Sequence, residues 1–225
     1  MSRPLPAPLL RERLLDGVAV LLAQPADEQE RAADSFAAAV RTRCQSLGAR
    51  VSDCELAPYS SPEAEEVASA QAVGKALAEH GAIDMLVLDA AALFASRSVA
   101  ASDSTPPVDT PQDTHALVGT LESCWNITRA VANLAFIEGG RPGRVLYLAP
   151  APDVGAHAVA ACAGLENLSR TLSIEWARHA VTPLTIAPGA HTSAGEVAEL
   201  TAYLASPAGA YFSGCLLDLR GPAAR

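Results

Sequence analysis

Short apolar runs alternate with long helical patterns along the chain, and this alternation predicts a three-layer, doubly wound α/β domain on a parallel sheet of six or seven strands. Three observations carry that expectation. The candidate strands are apolar almost without interruption, as strands covered on both faces must be. Between them lie stretches whose apolar residues recur at helical spacing, which supply the crossovers that parallel strands need. The 225 residues share one composition, half of it hydrophobic, which suits a single domain over 1–225 with a full core.

Taken in order, residues 1–16 mix prolines and charges and read as an N-terminal extension. Residues 17–22 are the first short strand, and 27–47 have helical periodicity up to a stop at Gly48. A weaker strand spans 49–56. A helix over 62–80 is stopped by Gly81, and 83–88 is the clearest strand of the first half. Residues 95–113, rich in Ser, Thr, Pro and Asp, read as a flexible loop. A long helix over 112–137 ends in a Gly-Gly-Arg-Pro-Gly turn. Then come a strand over 144–149, a helix over 155–179, a strand over 181–187, a helix over 196–205 and a last strand over 215–219.

Composition narrows the function. Aromatic residues make up 4% and charged residues 18%, a profile that excludes a disordered chain. The net charge of −9 repels phosphates, so nucleic acid and anionic membranes are poor partners. The five cysteines (Cys44, Cys54, Cys124, Cys162, Cys215) are odd in number, widely spaced and without a Cys-x-x-Cys, and read as reduced, mostly buried thiols. The five histidines (His80, His115, His157, His179, His191) contain no His-x-x-x-His, so no metal site is expected. The first residues lack the clean apolar run of a signal peptide, and no stretch approaches 18 uncharged apolar residues. The expected compartment is the cytoplasm.

Six segments in order, covering 81–221, resemble the short-chain dehydrogenase/reductase family, which has a Rossmann-like fold. Gly81-Ala-Ile-Asp-Met-Leu-Val-Leu-Asp-Ala-Ala91 is similar to its Gly-x-Ile-Asp-x-Leu-Val-Asn-Asn-Ala-Gly strand. Gly143-Arg-Val-Leu-Tyr-Leu148 is similar to the strand leading to its catalytic serine. Residues 163–177 are similar to its central helix, and Val181-Thr-Pro-Leu-Thr-Ile-Ala-Pro-Gly189 to the following strand and its Pro-Gly. Residues 196–206 and 211–221 are similar to its C-terminal end.

The resemblance implies hydride transfer between a nicotinamide cofactor and a carbonyl or alcohol. A tyrosine and a lysine four residues later would share one helix face, with a serine and an asparagine nearby. In this sequence the tyrosine position falls on Ala158, the lysine position on Cys162, the serine position on Ala149 or Pro150, and the asparagine position on Leu121. Asn126 lies five residues on, about 140° around the helix. No catalytic residue is therefore expected at those positions.

The cofactor half is altered too. The family's glycine loop lets bare amides approach a diphosphate at a helix N-terminus. Here Leu22-Ala-Gln-Pro-Ala-Asp-Glu-Gln-Glu30 carries no glycine, and offers Asp27, Glu28 and Glu30. The relict cofactor positions are Ala23, Asp89, Ala90, Pro188 and Gly189, and no cofactor is expected. One βα unit before 83 and the lid after Gly189 are short or missing.

Three readings of function follow, one of them a small-molecule binding protein that uses the relict cleft. In the first, the chain is a non-catalytic structural or regulatory subunit that pairs, through helices 112–137 and 156–178, with itself or with an active relative. The last strand forms a second interface in that family, and Val159, Ala163 and Leu165 are candidates for close helix approach. In the second, it is a divergent NAD(P)-dependent oxidoreductase using Tyr147, His157 or Asp89. Cys162 with His157 as base is a candidate reactive thiol, although its helical stripe with Ala158, Ala161, Leu165, Leu168, Leu172 and Trp176 reads as core. Asp89 suits a surface or loop-capping role, and Ser193 reads as loop.

Overall fold

The computed structural model describes residues 10–26, 35–57, 61–102 and 112–221. Six parallel strands form one sheet in the order β2-β1-β3-β4-β5-β6. They are β1 Ala19–Pro25, β2 Arg50–Leu56, β3 Met85–Leu88, β4 Gly143–Leu148, β5 Val181–Pro188 and β6 Cys215–Leu219. Six α-helices connect them: α1 Phe36–Ser46, α2 Pro62–His80, α3 Ala90–Ser102, α4 Gln112–Val131, α5 Ala158–Glu175 and α6 Ala194–Ala205. The sheet takes the lower of the two expected strand numbers.

Alternate residues of each strand enter opposite layers, as the two-residue period of a strand requires. Leu21, Leu86, Val145 and Tyr147 pack under α2, α4 and α5, with Val73, Ile127 and Leu165. Leu22, Val87, Leu146 and Ile186 pack on the other face against Val40 of α1 and Val197 of α6. Two covered faces explain why the central strands are apolar at every position. The rims differ from the centre: β2 carries exposed Arg50, Asp53 and Glu55, and β6 is only half buried. On β2, Asp53 holds Arg41 of α1 in an ion pair and accepts from Gln24 Nε2 at 3.3 Å.

Several boundaries differ from the sequence expectation, each for a local reason. The segment 95–102 belongs to α3 rather than to a loop. Its alanines favour helix despite Ser96, Ser98 and Ser102, and the Pro, Thr and Asp residues that suggest a loop belong to 103–111, outside the described residues. The helix over 27–47 is α1 from Phe36, with Ser35 Oγ capping Ala38 N at 3.2 Å; residues 27–34 lie outside the described residues. The first strand begins two residues late and reaches Pro25. The helix over 112–137 is α4 followed by a π-helical segment, Ala132–Ile137. The helix over 155–179 starts only at Ala158, because Gly155 and His157 hold positive φ angles of 158° and 64°. Its tail is a short 3-10 turn, Ala177–His179. Part of the expected extension is core: Leu15 is buried, and its N–H donates to Leu47 O at 2.9 Å.

Glycine sets two critical points. Gly81 ends α2 in the left-handed region, φ 76°, with its N–H on Leu77 O. Gly143 opens β4 flush against the buried Phe136 ring, where a Cβ would overlap the ring carbons. Gly143→Ala is therefore expected to lower the unfolding free energy by about 1–3 kcal/mol, read from the shift of a urea denaturation midpoint.

Candidate functional site

The relict cofactor positions converge on the C-terminal rim of the sheet. Ala23 of β1 lies beside Leu88, the last residue of β3, and Asp89 N donates to Ala23 O at 2.9 Å. From β1 the chain turns outward to β2, whereas from β3 it turns the other way to β4. This divergence is the switch point at which doubly wound sheets take their ligands. Pro188 ends β5 beside Leu219 of β6, and the next residue, Gly189, packs its Cα against the backbone of Arg220. The acidic residues Asp27, Glu28 and Glu30 lie outside the described residues.

Asp89 fills the fork itself. It is 1% exposed, so it has no surface role. One carboxyl oxygen accepts from Ala92 N at 3.0 Å, in the first turn of α3. The other accepts from Ala37 N at 3.0 Å, in the first turn of α1. A helix N-terminus leaves its first amides without intrahelical partners, and a ligand phosphate is one way to satisfy them. Here Ser35 and Asp89 supply the acceptors from within the chain.

The positions on which the resemblance places catalytic residues hold packing groups. Ala158 is fully buried in a small cluster with Phe94, Ala116 and Ala161. Phe94 comes from α3, one residue before the segment 95–113 expected as a loop. Cys162 lies one turn on and is 7% exposed, and burial pushes its thiol pKa up. Ala149 and Pro150 are buried at the end of β4. Leu121 sits against Gly164, its methyl carbons 3.0 Å from where a Cβ would stand.

The alternative chemical groups fare no better as a constellation. Tyr147 is fully buried, with its hydroxyl 3.0 Å from Thr128 Oγ1, and burial raises its pKa far above the phenol range. His157 is exposed at the start of α5, away from that buried pair. Asn126 turns to α2, where its amide donates to Glu65 Oε2 at 3.4 Å. Cys44, Cys54 and Cys124 are buried thiols pushed up to about 12. Ser193 caps α6 in a reciprocal pair with Glu196 and is not simply loop. Among the described residues no group of three His, Cys, Asp or Glu could hold a metal ion, and no helix is long and apolar enough to cross a membrane.

A second buried polar cluster escaped the sequence reading. Glu65 of α2 accepts from Ser123 and Asn126 of α4 and faces Arg97 of α3, with Arg97 Nη2 3.7 Å from Glu65 Oε1. Its trace in the sequence is a glutamate within the stripe Glu65, Ser69, Val73 and Ala76, the buried face of α2.

Burial raises the Asp89 pKa, and the amides of Ala92 and Ala37 pull it partly back. The folded protein therefore keeps this proton above about pH 4, where the unfolded chain releases it. The stability that this protonation supplies is complete below that pH and is lost as pH rises through the folded value. Asp89→Asn keeps one acceptor oxygen of two and is expected to cost about 1–3 kcal/mol. Its deficit should narrow from pH 4 towards neutrality, measured by parallel urea titrations.

No protein-family model and no curated protein matches the sequence. Solved structures do match. A short chain dehydrogenase from Mycobacterium smegmatis shares 21% identity, with a TM-score of 0.71 over 97% of this chain and 98% of that one. A hydroxysteroid dehydrogenase from Escherichia coli shares 17% identity, with a TM-score of 0.69 over 94% and 99%. A 3-ketoacyl-(acyl-carrier-protein) reductase from Brucella melitensis, solved with NADH, shares 18% identity, with a TM-score of 0.67 over 92% and 98%. Nearly the full length of the chain thus has the fold of the short-chain dehydrogenases.

Proposed function

We propose that this chain is a non-catalytic protein on the short-chain dehydrogenase fold, kept as a structural or regulatory subunit that pairs with itself or with an active relative. The observation that carries the reading is Asp89, whose carboxyl takes the α1 amide that a dinucleotide's diphosphate would need. The residues present do not fit that cofactor. The methyl of Ala158 and the raised thiol of Cys162, where the resemblance places a phenol and an ammonium, support the same reading. The divergent oxidoreductase reading loses Tyr147 and Asp89 to burial and keeps only the exposed His157.

Pairing is supported by the outer faces of α4 and α5. Val118 and Trp125 on α4 are 49% and 37% exposed, and Val159 and Ile174 on α5 are 59% and 80% exposed. Ala163 lies between the last two on the exposed side. Leu165 is fully buried and belongs to the core, not to this face. Trp125 stacks on Trp176 with ring centroids 6.5 Å apart, which joins the two helices into one surface. A second chain laid over these groups would remove apolar area from water, worth about 25 cal/mol per Å².

Two measurements test the reading. Calorimetric titration with NAD(H) and NADP(H) is expected to give no binding heat, and micromolar affinity for either would overturn the non-catalytic assignment. The double variant Val159→Glu, Ile174→Glu is expected to reduce the sedimenting species to a monomer. An unchanged assembly mass would remove α4 and α5 as the interface.

A further inference from the structure

The opposite rim of the sheet carries a cavity that the dehydrogenase resemblance does not use. It has a volume of about 490 Å³ and lies at the N-terminal ends of β1, β3, β4 and β5. Its walls are largely apolar, formed by Val18, Pro142, Ala180, Ala205, Pro207 and Ala210. Three charged residues line it: Asp16, Asp84 and Arg144.

Their charges do not cancel. Asp16 is paired with Arg13 at 2.6 Å. Asp84 is paired with Arg141 at 2.9 Å and also accepts from Ala19 N at 2.8 Å. Arg144 is only partly exposed, and its Nη1 donates to Ala205 O, a carbonyl at the end of α6, at 2.5 Å. Among the described residues no carboxylate comes within ion-pair distance of Arg144, although Asp84 is near enough to act on it. Burial disfavours its charge. With Asp16 and Asp84 each matched, Arg144 leaves one uncompensated positive charge and spare guanidinium donors beside apolar walls.

We infer that this cavity binds a small apolar monocarboxylate, with its carboxylate on Arg144 and its hydrocarbon body against Val18, Pro142 and Ala210. A planar guanidinium fork matches a carboxylate in two parallel hydrogen bonds. With Asp16 and Asp84 already paired, the single unmatched charge of Arg144 suits a monoanion better than a doubly charged phosphate. The volume lies within the range of about 300–1,000 Å³ usual for small-ligand sites, where a few polar groups orient a mostly apolar ligand. This site is independent of the reading proposed for the other rim.

The test is calorimetric or NMR titration of the full chain with benzoate, with benzamide and inorganic phosphate as controls. Benzoate is expected to bind and to shift amides of Val18, Gly143 and Thr182, with benzamide and phosphate weaker. Arg144→Gln is expected to weaken benzoate by about tenfold or more, as loss of a charge-assisted pair requires. Ala210→Phe keeps Arg144 and changes an exposed residue, so it should preserve the fold while filling the cavity and abolishing binding. No benzoate binding, equal binding of benzamide, tighter binding of phosphate, or full affinity in the Ala210→Phe protein would each overturn the assignment.

Discussion

The carboxyl of Asp89 is the joint on which the C-terminal rim depends. It stands at the end of β3, where the chain's two halves diverge, and its two oxygens engage helices from opposite layers. The α1 helix packs on the face with α6, whereas α3 packs with α2 and α4 on the other. One side chain therefore fastens both helical layers over the sheet. The physical demand is ordinary: buried helix ends must find acceptors for their first amides. In a ligand-binding member of this architecture the acceptor can arrive with the ligand. Here Asp89 supplies an acceptor to one amide of each helix from within the chain.

The filling continues along the rim. Phe94 seals Ala158, prolines close the ends of β4 and β5, and Gly189 lies flush on Arg220. The N-terminal rim has the opposite character, because Arg144, Asp84 and Asp16 border open space there. Among the described residues, open space thus borders the end of the sheet opposite the one where doubly wound folds usually take their ligands.

The fold was legible because its signal is repetitive. Uninterrupted apolar strands reported two covered faces, and Gly81 and the run from Pro62 to His80 marked a helix at both ends. The resemblance assigns its tyrosine and lysine positions through 163–177, which sets the register along α5. The rest depended on tertiary context. Nothing local says that Asp89 reaches α1, since Ala37 lies 52 residues earlier. Arg97 lies within the segment 95–113 whose composition suggests a loop, and Glu65 reads as an ordinary helical charge until Ser123 and Asn126 close over it. Leu165 looked like part of an outer face because helical spacing alone does not say which side of a helix meets the sheet.

The shortened sheet has a mechanical consequence at its other margin. Only β2 stands between β1, which leads into the fork, and water. If β2 peeled away, the bared ladder of β1 would become a template for any extended chain. Besides the backbone ladder, the grip of Arg41 of α1 on Asp53 and the reach of Gln24 of β1 to the same carboxylate oppose that event. With β2 in place, the outermost rim shows Arg50, Asp53 and Glu55 to its surroundings, and their charges make it a poor surface for strand-to-strand growth.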